Sequence, residues 1–326
     1  MGNNLLGRKP RRFWEKVIGD WVSGVIIVTG VAGAVKPNQP VTYLSNQPIT
    51  QLLNSPFTRS PMTDSLTAYI QRLPPTVRVS MALESLADSS VRFYHRADER
   101  VPSASIIKVP IMVAAMAAAN EGRLDLEEIH ILTDSEKVGG DGIIKTYSNR
   151  SRLSYTDLIR LMISISDNTA TNILISDLGQ DQINARMRGL GLPKSQLNRV
   201  MMDTLAAKQG RENLVTAREM NQLLAKIYRH ELLTAALCEQ MLDMLKQNED
   251  TLTIPKLLPR SATGKPMTIA HKTGTLAYVR GDIGIVYAPC PFVLSVLVEN
   301  AGTDAAGEQI IAELALIAFG LVSKAH

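Results

Sequence analysis

The sequence predicts an α/β (α+β) fold: an antiparallel sheet flanked by helices, with an all-helical domain inserted into it. Two observations carry this expectation. Strand-like segments cluster at both ends of the globular region, and a long stretch of helical periodicity separates them. Strands far apart in sequence then pair most simply in one sheet, with the helices looped out between them. At 326 residues, 45% of them hydrophobic and 20% charged, the chain can bury a full core.

The elements follow in order. Residues 1–35 read as a signal peptide or an uncleaved signal anchor. A basic stretch, Arg8-Lys9-Pro10-Arg11-Arg12, precedes an apolar run from Trp21 to Val35, and Ala32-Gly33-Ala34 offers a small-x-small cleavage pattern. The run of 15 residues is short against the ~20 of a comfortable span, although Val17 and Ile18 could lengthen it across Asp20. Export to the periplasm follows either way, with inner-membrane attachment if the segment stays. Residues 36–61, punctuated by Pro37, Pro40, Pro48, Pro56 and Pro61, read as a tether. A helix near 62–73 comes next, then strands at Val77–Ser85 and Ser90–Arg96.

From Ser105 to Asn120 the chain is apolar all round, so this helix is expected to be buried on every face. Helical spacing continues over 155–177, 181–190, 216–229 and 232–246. Short β-rich runs then return at Met267–Thr275, Gly281–Tyr287 and Phe292–Glu299, and an amphipathic helix covers 304–323. The expected division is residues 62–104 plus 252–326 for the α/β domain and 105–251 for the helical one.

Charge and cysteine content exclude several classes. The net charge of +4 suggests a nucleic-acid partner, but residues 1–34 hold +3 of it (five basic residues against Glu15 and Asp20), which leaves the body near neutral. No nucleic acid is expected. Cys238 and Cys290 stand in contexts that favour two buried free thiols, though export permits a disulfide. With five scattered histidines and no ligand spacing, neither metal nor organic cofactor is called for, and a monomer is the expectation.

Three short strings carry chemistry: Ser105-Ile106-Ile107-Lys108 at the start of the apolar helix, Ser166-Asp167-Asn168 between helical segments, and Lys272-Thr273-Gly274 on the first returning strand. Each alone is common. Together, in this order and on these elements, they are the set of an active-site serine acyltransferase. Helical positions i and i+3 share a face, so Lys108 can reach the Ser105 hydroxyl. A lysine on a fully apolar helix makes sense as a base if burial and a second cation, Lys272, depress its pKa.

With surrounding strings such as Ser166-Asp167-Asn168-Thr169-Ala170-Thr171-Asn172 and His271-Lys272-Thr273-Gly274-Thr275, residues 62–323 resemble the class A β-lactamases and their penicillin-binding relatives. The motif gaps of 61 and 106 residues fit that family too. The resemblance implies a site in a cleft between two domains. Ser105 is the expected nucleophile, Lys108 its base and Ser166 the proton shuttle to the leaving nitrogen. The backbone N–H groups of Ser105 and Thr275 are the expected oxyanion hole. Asn168 is expected to donate to a substrate amide and Lys272 and Thr273 to receive the substrate carboxylate, with Gly274 and Thr275 also substrate-binding and Arg280 an extra carboxylate contact.

One departure bears on the reaction. Class A β-lactamases carry a glutamate two residues after an arginine, where it activates the deacylating water. Here the stretch is Leu197-Asn198-Arg199-Val200-Met201-Met202-Asp203, and Met201 holds that position. Asp203 substitutes only if the loop is remodelled, and Glu212 is further off. Some cyanobacterial penicillin-binding peptidases that resemble this family lack the same glutamate. The leading expectation is therefore a D-Ala-D-Ala peptidase, acting on peptidoglycan stem peptides and acylated by β-lactams. Second comes a β-lactamase with an atypical base, and third a tethered β-lactam receptor.

Overall fold

The computed structural model describes residues 63–260 and 264–324. The expected signal segment (1–35) and tether (36–61) lie outside the described residues. Helix α1 (Thr63–Arg72) leads into strands β1 (Arg78–Ser85) and β2 (Arg92–His95) and a two-residue strand β3 (Val101–Pro102). A 3-10 turn at Ala104–Ile107 runs directly into α2 (Lys108–Asn120). A ribbon of β4 (Ile129–Ile131) and β5 (Arg152–Ser154) precedes α3 (Tyr155–Ser164), α4 (Asn168–Leu178) and α5 (Gln180–Gly189). Then come α6 (Thr204–Lys208), β6 (Leu214–Val215), α7 (Ala217–Tyr228) and α8 (Ala235–Lys246). The chain closes with β7 (Ile269–Leu276), β8 (Val279–Val286), β9 (Phe292–Glu299) and α9 (Asp304–Lys324).

The fold is the expected mixture of helices with a main antiparallel sheet, joined among the described residues by two small two-stranded ones, β3–β6 and β4–β5. Five strands run in the order β2-β1-β9-β8-β7, so the first and last parts of the chain pair through β1 and β9. Alternation with period two divides the side chains between two cores. Val79, Met81, Leu83, Leu294, Val296 and Val298 face α1 and α9, beside Leu66, Ile311 and Leu314. Ala82, Val293, Leu297, Ile283 and Ile285 face the other way, into the core that holds α2, α4, α7 and α8. Among the described residues α9 alone is long and apolar enough to cross a membrane, and half of it is buried in the protein.

Several boundaries move for physical reasons. The α-helix expected from Ser105 begins at Lys108, because Ala104–Ile107 winds more tightly as a 3-10 turn. From Lys108 to Ala118 every residue is buried, as the all-round apolar pattern requires. The helical spacing over 155–177 is interrupted at Ile165–Asp167, where Ser166 takes φ +59° and Asp167 caps a new helix. Strand β2 stops at His95 because Arg96 sits at φ +47°. Strands β3 to β6 and α6 are too short to leave a periodic signal. Cys238 is a buried free thiol; Cys290 is also free but only partly buried, at the polar turn between β8 and β9.

Leu297 lies on central strand β9 with none of its surface exposed. Leu297→Ala is expected to cost about 2–5 kcal/mol through the cavity it leaves, read as a lower urea midpoint with an unchanged slope.

Candidate active site

Two adjoining cavities meet at Ser105. The first, about 340 Å³, is lined by Ser105, Ser166, Lys272, Thr273, Gly274 and Thr275, with Asp141, Asp250 and Arg280. The second, about 450 Å³, shares Ser105, Asp141 and Thr275 with it and adds Asn168, Arg199, Met201 and Asp203. Three motifs distant in sequence are thus brought to one place.

Strand β7 lies close against the serine. A Cβ built on Gly274 would stand 3.0 Å from both the Ser105 nitrogen and the Ala104 Cβ, and 3.1 Å from the Ser103 oxygen. Any side chain there would push the strand away, so glycine is what lets Thr275 and the Ser105 N–H share a wall. Ala104 itself carries φ +46°, an uncommon conformation for a residue with a Cβ, immediately before the serine.

Lys108 is entirely buried. Its ammonium donates to the Ser166 carbonyl oxygen at 2.7 Å, to Ser166 Oγ at 3.0 Å and to Asn168 Oδ1 at 2.8 Å. The sequence pointed to a bond with Ser105; instead these three contacts tie the lysine to the second motif, and no hydrogen bond involves Ser105 Oγ among the described residues. Burial, and then the charge of Lys272, pushes Lys108 well below the ordinary lysine range, while Asp141 and Asp167 pull the other way. Lys272 is buried too, donates to the Thr273 carbonyl at 2.9 Å, and is lowered by burial to about 8 against the opposing pull of Asp282, Asp141 and Asp250.

Asp167 holds the second motif in place. Its Oδ1 accepts from Ala170 N at 2.9 Å, capping α4, and its Oδ2 accepts from Ile143 N and Ile144 N at 2.7 and 2.8 Å. Asn168 is 6% exposed, and its amide nitrogen donates to the Gly139 carbonyl at 3.2 Å. The group expected to meet substrate therefore already binds the 139–144 loop and Lys108.

Arg280 differs from expectation in a similar way. Its guanidinium donates to Asp250 at 2.5 Å and to Thr275 Oγ1, and pairs with Glu308 at 3.3 Å. Two carboxylates thus neutralise it before any substrate arrives. Burial raises the Asp250 carboxyl, but the Leu252 N–H and Arg280 outweigh that and hold it below the usual carboxylate range.

Behind β7, buried His271 and Asp282 meet at 3.0 Å, and Asp282 also accepts from Thr253 Oγ1 at 2.7 Å. The motif search missed this pair and Asp141, Asp250 and Glu308, and it named Asp167 without giving it a role. Of these, only the Gly139-Gly140-Asp141-Gly142 string carries a signal that could have found one, a glycine-rich turn with an acid in it.

The loop that faces Ser105 from the second cavity places Met201 where the deacylating glutamate was sought. Met201 is buried, with its N–H donating to Asn172 Oδ1 at 2.7 Å and its carbonyl accepting from Asn172 Nδ2 at 3.1 Å. Asp203 caps α6 through Ala206 N at 2.9 Å, and Glu212 pairs with Arg199 at 2.8 Å.

The sequence profile of the beta-lactamase enzyme family matches residues 62–322. The chain belongs to this family. It is a serine hydrolase by that membership. Beta-lactamase L2 of Stenotrophomonas maltophilia is 27% identical over 213 residues, 64% of this chain and 69% of the relative. A beta-lactamase structure from Sphaerobacter thermophilus superposes with a TM-score of 0.72 at 28% identity, covering 79% of this chain and 96% of that one. The structure of PBP-A does so with a TM-score of 0.74 at 27% identity, covering 82% and 97%. A variant of PBP-A, at 27% identity and a TM-score of 0.73, is an acyl-enzyme complex with penicillin G.

Asp167→Ala removes a helix cap and leaves two loop N–H groups unpaired. A loss of about 3 kcal/mol is expected, measured as a lower denaturation midpoint together with faster hydrogen exchange at Ile143 and Ile144.

Proposed function

We propose that this serine hydrolase is a penicillin-binding D-Ala-D-Ala peptidase, exported to the periplasm, which β-lactams inhibit by stable acylation. The single observation that carries the reading is Met201. A buried thioether stands where the deacylating carboxylate belongs, and the next two acids along the chain are occupied, Asp203 by the α6 cap and Glu212 by Arg199.

In this reading the site lies between the 105–251 segment and the α/β part. Lys108, driven toward its neutral form, takes the Ser105 proton as Ser105 Oγ attacks the amide carbonyl. The oxyanion is received by the Ser105 and Thr275 N–H groups. Ser166, bonded to Lys108, passes the proton to the leaving nitrogen, and D-alanine departs from a peptide. From a β-lactam the leaving nitrogen stays tethered to the acyl group and no fragment leaves. Lys272 and Thr273 hold the substrate carboxylate. Because PBP-A resembles this chain and a variant of it forms an acyl-enzyme with penicillin G, a penicillin is a fitting probe.

The testing experiment mixes purified protein with excess benzylpenicillin and follows intact mass, with Ser105→Ala as control. A one-to-one adduct lasting minutes or longer, together with D-alanine release from a D-Ala-D-Ala peptide, supports the peptidase. Rapid drug loss without an adduct makes it a β-lactamase, and an adduct without peptide cleavage makes it a receptor. Met201→Glu is expected to shorten the adduct lifetime by about 10²–10⁴-fold, the usual contribution of a general base.

The acylation rate is also expected to fall as pH rises through about 8, since Lys272 there loses the charge that holds the substrate carboxylate. Stopped-flow acylation between pH 6 and 10 checks this, and a rate that climbs steadily across that range contradicts the assigned role of Lys272.

A further inference from the structure

The loop that packs on the second motif presents one side chain to the reaction site. Gly140 (φ +77°) and Gly142 (φ +98°) flank Asp141, and neither has room for a Cβ: one would meet Asn168 Nδ2 at 2.5 Å, the other Asp167 Oδ2 at 2.2 Å. The Asp141 carbonyl accepts from Asn168 N at 3.2 Å, and the N–H groups of Ile143 and Ile144, two and three residues on, are held by Asp167. The backbone at Asp141 is therefore pinned to the Ser166-Asp167-Asn168 turn.

The side chain itself is exposed and lines both cavities that Ser105 joins. Among the described residues its carboxylate makes no hydrogen bond and no ion pair. Among the cations nearby, Lys208 is exposed on the second cavity and Lys145 donates to the Gly140 carbonyl, while the others are balanced or withdrawn. Arg280 is matched by Asp250 and Glu308, Arg199 by Glu212, and Lys108 is buried. Glu249, exposed on the first cavity, is likewise without an ion pair among the described residues. Lys272, buried beside Thr273, answers the substrate's carboxylate. Six carboxylates (Asp141, Asp203, Glu212, Glu249, Asp250 and Glu308) line the two cavities against four cations (Arg199, Lys208, Lys272 and Arg280), so the mouth of the site carries net negative charge within the same cavities as the nucleophile.

We infer that Asp141 is a specificity-determining residue that favours substrates bearing an ammonium group on the acyl side of the scissile bond. This rests on the reading that Ser105 is the acylated serine. The attraction acts on the bound cation across a solvated gap, where a charge pair is worth up to about 5-fold in rate or affinity. It weakens as salt screens it.

Ampicillin and benzylpenicillin share one skeleton and differ by a single amino group on the acyl side chain, so the ratio of their acylation rate constants isolates the cation. Whatever Asp141 does to Lys108 and Lys272 is common to both drugs and cancels. The ratio is measured on the full-length protein at a pH below the α-amino range, where the amine is charged, at low and high salt. Asp141→Asn is expected to lower the ampicillin preference about 5-fold, Asp141→Glu to retain it, and high salt to reduce it in the unaltered protein. A ratio unchanged in Asp141→Asn overturns the inference while leaving the acyl-enzyme intact. Failure of either drug to acylate Ser105 overturns the site reading itself, and the inference with it.

Discussion

A lysine ammonium with no access to water is the constraint on which the site depends. An unpaired buried charge is costly, and a structure that keeps one must surround it with acceptors or let it lose its proton. Lys108 has both answers. Three oxygens of Ser166 and Asn168 surround its nitrogen, while burial and Lys272 favour the neutral amine. The need to supply those oxygens explains why the turn at Ser166 adopts φ +59° and why Asp167 restarts the chain as α4. It also explains why the 139–144 loop is drawn onto Asp167 and Asn168.

The sheet meets this assembly from the other side. Gly274 brings β7 to the backbone of Ser105, and Gly281 on β8 leaves room for Ile106, where an added Cβ would approach Cδ1 at 2.7 Å. Two glycines at close approaches thereby register Ser105 against the strand that bears Lys272 and Thr275. The charges are then distributed unevenly. Inner cations are matched by Asp250, Glu308 and Glu212, and the wall that faces Ser105 from the 197–203 loop presents the thioether of Met201.

Much of this was legible in the residues because it follows from local rules. The all-apolar run after Ser105 could only be a buried helix, and a lysine in it required a chemical reason. Strand-like runs on both sides of the helical stretch implied one shared sheet, which the β1–β9 pairing makes. What stayed hidden depends on contacts between distant residues. The order of the 3-10 turn and helix at Ala104–Lys108 reflects the approach of β7, which periodicity does not register. The partner of Lys108 is set by a turn 58 residues away. Arg280 looked available as a carboxylate contact because Asp250 and Glu308, 30 and 28 positions from it, reach it only in the folded chain. Asp141 gave no sign beyond its glycines, since an exposed acid in a turn has an ordinary solvated reading until the cavities are known.

The central claim is that Ser105 is the acylated nucleophile and that its own N–H and that of Thr275 hold the oxyanion. A crystal structure of the protein after reaction with benzylpenicillin tests it most directly. The account predicts continuous density from Ser105 Oγ to the opened drug, its carbonyl oxygen between the Ser105 and Thr275 nitrogens and its carboxylate beside Lys272 and Thr273. A drug attached to another side chain, or a Ser105 ester whose carbonyl points away from those two nitrogens, would contradict it.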